Sequence, residues 1–137
     1  MTMINRTQAL VVAFFAGVVV ATIAIRVMAP DVFQRVLEPP TDDARLEIAF
    51  FAGTATVIVL ITVGAVRRWR WMFWLTMAIL LSGVLRVPVA ILQVAGVVSA
   101  DAPNWYLVLQ GGIGLVQAAI GAAMVVGYRR AGVWGAF

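Results

Sequence analysis

Val63-Gly64-Ala65-Val66-Arg67-Arg68-Trp69-Arg70-Trp71-Met72-Phe73-Trp74 joins two long apolar runs through four residues, three of them arginine. Working outward, the flanking runs cover about 46–66 and 71–98, and two more lie at about 8–27 and 105–127. Each is at or near the ~20 apolar residues that a helix needs to cross a bilayer core. The expected fold is therefore all-α: an integral membrane four-helix bundle forming a single transmembrane domain over residues 1–137.

Composition agrees. Hydrophobic residues make up 64% of the chain and charged residues 12%, with a mean hydropathy of +1.02, outside the range of soluble domains. Four spans in 137 residues leave no length for a soluble domain, so function is expected in or beside the membrane. The first span is read as retained: its apolar stretch exceeds the 7–15 residues of a signal-peptide core, and Arg26-Val27-Met28-Ala29 is a poor cleavage site.

Cysteine, histidine and lysine are absent. That removes disulfides, thiol and imidazole catalysis, axial haem histidine, the usual zinc sites and Schiff-base chemistry. No metal and no cofactor is expected.

The charges sort by side. Arg6, the Arg67, Arg68 and Arg70 cluster, and Arg129 with Arg130 flank the spans at one end, whereas Asp31, Glu38, Asp42, Asp43, Glu47 and Asp101 fall at the other. The positive-inside rule then places both termini in the cytoplasm, against the weaker vote of Arg35 and Arg45. The basic rim suits anionic lipid headgroups, and nucleic acid is not expected as a partner.

Local signals fill in the connections. Spans two and three must be antiparallel neighbours, with Trp69, Trp71 and Trp74 in the inner interfacial belt and Trp105 and Tyr106 in the outer one. Between Pro30 and Pro39, Val32, Phe33, Val36 and Leu37 fall at helical spacing, which predicts a short amphipathic helix on the outer surface after span one. Thr41, Asp42 and Asp43 are expected to cap span two, and Asp101 with Pro103 to cap span four. The Ala-Phe-Phe-Ala-Gly at 13–17 and 49–53 is a coincidence of composition, not a repeat.

Arg86 most needs an explanation. At ~1.5 Å per residue it lies ~22 Å along the helix from Trp71, near mid-bilayer. A lipid-facing guanidinium there costs on the order of 2.5–3.5 kcal/mol by insertion scales, so it should face the bundle or a wet cavity. Ser82 and Gln93 share its face, and Pro88 should bend the helix just beyond. Gln110 and Gln117 share a face of span four, Glu47 and Thr54 one of span two, and Arg26 sits near the outer end of span one. Convergence of these faces would give a polar pocket in the outer half, with Glu47 as counter-ion of Arg86. Gly114 and Gly121 are expected to leave space beside Gln117. Two readings stand together: a structural ion pair with interhelical hydrogen bonds, or a ligand site formed by Arg86, Gln93, Gln110, Gln117, Glu47 and Arg26.

Asp42-Asp43-Ala44-Arg45-Leu46-Glu47-Ile48-Ala49-Phe50-Phe51-Ala52-Gly53, Gly83-Val84-Leu85-Arg86 and Asp101 before an apolar fourth span carrying a polar residue follow an order that resembles the small four-span bacterial family designated domain of unknown function 4345, and more loosely the DoxX-like proteins. It covers most of the chain from about residue 30. The resemblance implies the four-span fold, the polar positions and a multi-pass protein of the bacterial cytoplasmic membrane, but no reaction.

Two functions follow. The first is a binding or accessory protein that holds a lipid, an apolar small molecule or a partner helix against the polar stripe, alone, as a homo-oligomer or in a larger membrane complex. The second is an enzyme acting on an isoprenoid-like lipid as isomerase, cyclase or epoxide-opening hydrolase, with Glu47 or Asp43 as acid or base and Arg86 stabilising negative charge. Transport is disfavoured because span one carries no acid.

Overall fold

The arginine-rich turn ends its helix with a Schellman arrangement: Trp69 N–H donates to the Gly64 carbonyl at 2.8 Å and Arg68 N–H to that of Ala65 at 3.2 Å. Arg68 takes φ 56° there, the left-handed position usually given to glycine. This reversal makes α3 (Ala44–Val66) and α4 (Arg70–Leu81) antiparallel. In the computed structural model, which describes residues 4–36 and 44–137, the remaining elements are α1 (Arg6–Met28), α2 (Pro30–Val36), α5 (Gly83–Val94) and α6 (Asn104–Ala131). All regular structure among the described residues is helical.

Four helical segments are long and apolar enough to cross a membrane: α1, α3, α4 with α5, and α6. Between 11% and 28% of the most apolar window of each is buried, and Val20, Ile23, Ile48, Leu85 and Val108 are exposed. So much apolar surface outside the core is consistent with a membrane protein, since lipid tails can cover what water would not.

Span three is not one continuous helix. The chain breaks at Ser82, and α5 ends at Val94 instead of running to 98, because Gly96 at φ 74° closes it with Val97 N–H on the Leu92 carbonyl. The break falls at a Ser-Gly pair and not at Pro88, which sits inside α5; both are sites where a helix's hydrogen-bond ladder is readily interrupted. Two side chains meet the carbonyl exposed by the break: Ser82 Oγ donates to Ile79 O at 2.7 Å and Gln117 Nε2 at 2.6 Å.

The ends of the structure differ. At the basic end, α1 opens with a capping box in which Asn5 and Gln8 satisfy each other's backbone N–H groups. Gln8 also donates to the Ala65 carbonyl of α3. After Gly132 the chain turns back and buries Trp134 among Phe73, Met72, Ala65 and Met124. Trp134 Nε1 donates to Trp69 O at 3.0 Å, and Thr7 Oγ1 to Gly135 O at 2.7 Å. This end is closed by dense packing.

Among the spans, α1 packs on α3 and α5 on α6, while α6 also touches α1 and α4. The α5–α6 pair is drawn together by glycine: a Cβ on Gly83 would stand 2.7 Å from the Gly114 carbonyl oxygen, and one on Gly114 would stand 2.9 Å from that of Gly83. Two backbones meet only where both residues are this small. α6 starts at Pro103 with no side-chain cap hydrogen bond, so Asp101 does not cap it as expected. The short helix after span one forms as α2 and buries Phe33. The expected cap at Thr41, Asp42 and Asp43, together with Leu37 and Glu38, lies outside the described residues.

Candidate functional site

Between the two helix pairs lies a cavity of about 540 Å³. Its apolar wall is built mainly by α1 and the aromatic side chains Phe14, Phe15, Phe33 and Phe50; its polar groups are Thr22, Thr54, Arg86, Tyr106, Gln110 and Gln117. Thr22 Oγ1 is occupied by the Val18 carbonyl of its own helix, at 2.8 Å. The volume falls within the ~300–1,000 Å³ of ligand pockets, and the mixture of apolar lining with a few convergent polar groups is typical of them.

A hydrogen-bonded chain crosses one side of this cavity. Arg86 Nη1 donates to Gln110 Oε1 at 3.2 Å, and Gln110 Nε2 donates to the Tyr106 hydroxyl at 2.6 Å. Tyr106 and Gln110 are four apart on α6 and so stand on one face, opposite Arg86 of α5. Arg86 can only donate, which fixes the amide orientation: the oxygen faces the guanidinium and the nitrogen faces the phenol. Among the described residues no carboxylate lies within ion-pair distance of Arg86.

Glu47 is not the counter-ion of Arg86. It forms an ion pair with Arg26, whose Nε donates to Oε1 and Nη2 to Oε2, the latter at 3.3 Å. The physical reason is helix placement: α3 packs on α1 and not on α5, so the last turn of α1 and the first turn of α3 meet. The Arg26 guanidinium also stands 5.9 Å from the Phe33 ring centroid, within cation–π range. Phe33 stacks on Phe51 at 5.5 Å and meets Phe50 edge-on at 6.0 Å. Together these contacts pin α2 across α1 and α3, so Arg26 and Glu47 hold the wall near the cavity without lining it. They line a separate recess with Phe51.

The sequence-derived residues thus divide. Arg86, Gln110 and Gln117 share the cavity, and Gln93 lines an adjoining one with Arg86 and Gln110. Arg26 and Glu47 pair elsewhere, and Asp43 lies outside the described residues. The space expected beside Gln117 is filled, since a Cβ on Gly114 or Gly121 would meet the backbone or side chains of residues 80–87 within about 3 Å. Tyr106, read as an interfacial aromatic, is buried and holds Gln110. Its spacing of four from Gln110 was the available signal. Phe14, Phe15 and Phe33 carried none, because an aromatic in an apolar run is ambiguous between lipid and cavity.

No protein-family model, curated protein or solved structure matches this chain.

Proposed function

We propose that the chain is a four-helix transmembrane bundle of the bacterial cytoplasmic membrane, with both termini cytoplasmic and α2 lying on the outer surface. In this reading it binds a lipid or apolar small molecule in the cavity between the α1–α3 and α5–α6 pairs. The observation that carries the reading is an aromatic-walled cavity of about 540 Å³ with Arg86 at its edge, held by a neutral amide and by no carboxylate among the described residues. A guanidinium at that depth is costly unless a ligand or water meets it. Acid–base chemistry gains no support: no carboxylate among the described residues lines this cavity, and Glu47 is engaged by Arg26.

Native mass spectrometry of the gently extracted protein tests the reading. A bound apolar adduct should survive in the unaltered chain and be lost in Ala21→Phe, which fills the cavity from α1, where Ala21 lines it. An adduct of equal occupancy in both proteins, or none in either, would contradict it.

A further inference from the structure

We infer that the ligand is an amphiphile with an anionic head, its chain in the aromatic cavity and its carboxylate or phosphate monoester beside Arg86 and Arg35. This rests on the cavity reading above and narrows it. A second cavity, of about 1020 Å³, adjoins the first, and Arg86, Tyr106 and Gln110 line both. The first is mainly apolar. The second carries Arg35, Gln93, Ser99 and Asp101 in addition, so among the described residues two guanidiniums and one carboxylate line it. A molecule spanning both spaces must pass the Arg86–Gln110–Tyr106 chain with its apolar part on one side and its polar part on the other.

That chain leaves more donors than acceptors open: Arg86 and the Tyr106 hydroxyl can still donate, against one lone pair each on the Gln110 and Tyr106 oxygens. Gln110 spends its oxygen on Arg86 and an N–H on the Tyr106 oxygen. The phenol O–H therefore points its proton elsewhere, with no acceptor among the described residues. A guanidinium has five N–H donors, and among the described residues the Arg86 group gives one hydrogen bond, to Gln110. Both groups can donate to a further acceptor. Carboxylates and phosphates supply several acceptor oxygens and a charge that Arg86 can meet in a planar, bidentate fashion. An amine or quaternary ammonium head would offer donors or a like charge.

The test uses the full chain in lipid nanodiscs at mildly alkaline pH. Its probes are a diazirine-bearing palmitic acid, the corresponding alcohol, and acetate as a head without a chain; labelling is read by intact mass. The acid should half-saturate labelling at a concentration about tenfold below the alcohol, as expected of one added charge-assisted hydrogen bond. Arg86→Gln should remove that preference, weakening labelling by the acid more than labelling by the alcohol. Arg86→Lys should keep part of it, and Arg35→Gln should weaken it less than Arg86→Gln does. Equal labelling by acid and alcohol in the unaltered protein would overturn the anionic head and leave the cavity reading standing. Labelling by neither would overturn both. Acetate competing as well as the acid at equal concentration would show a free-anion site and overturn the amphiphile.

Discussion

Gln117 of α6 donates to the Ile79 carbonyl of α4 at 2.6 Å, at the turn where α4 gives way to α5. A broken helix inside a membrane is tolerated only when its freed backbone groups find partners, and here a side chain of the neighbouring span supplies one. Gln117→Leu keeps the volume and removes the bond. Because Ser82 Oγ still reaches the same carbonyl, the loss should be modest, about 0.6–1.7 kcal/mol for one interhelical hydrogen bond. Thermal unfolding in detergent should fall by the same amount with and without added amphiphile. A loss confined to the amphiphile-bound protein would move Gln117 from packing to the binding site.

Glycine at the α5–α6 crossing should be far less replaceable than glycine on the open faces. A Cβ at Gly83 or Gly114 would press on the facing backbone, whereas nothing lies within 4 Å of one at Gly17 or Gly53. Gly83→Ala and Gly114→Ala should each cost about 1–3 kcal/mol, the range for overpacking a filled interface. Gly17→Ala and Gly53→Ala, in helix interiors, should be neutral or slightly stabilising. Thermal melts of the four variants check this, and equal effects at all four positions would deny the close crossing.

The Arg26–Glu47 pair predicts a specific coupling. Arg26→Gln and Glu47→Gln should each lower the melting temperature, and the double variant should fall by less than their sum, as expected when each single change strands a partner. Arg86→Gln combined with Glu47→Gln should be additive, because these residues belong to different helix pairs. The reverse pattern would place Glu47 in the cavity.

How far the sequence could be read depends on which interaction decides each feature. The spans were legible because a ~20-residue apolar run is a local signal, and the turn at 67–70 was legible from its arginines. The break at Ser82 was not. Pro88 is the louder local signal, and the choice of Ser82 depends on Gln117 arriving from another helix. Depth along the span does not reveal the partner of Glu47; adjacency of spans one and two does, and it brings Glu47 to Arg26 near the end of α1. Arg86 and Gln110 are legible because a polar residue deep in an apolar run stands out. The cavity's aromatic wall was hidden for the opposite reason.

The proposed orientation rests on charge. Six arginines flank the spans on one side and all six acids fall on the other, so a reporter fused after Phe137 should read cytoplasmic and one inserted near Pro40 should read external. The inverted pattern would contradict the proposed placement of both termini.

An experimental structure determined in a lipid bilayer tests the central claim most directly. The account predicts elongated non-protein density along Phe14, Phe15 and Phe33, with its polar end within hydrogen-bond distance of the Arg86 guanidinium or the Tyr106 hydroxyl. A cavity closed by α1–α3 packing against α5–α6, or one holding water alone, would contradict it.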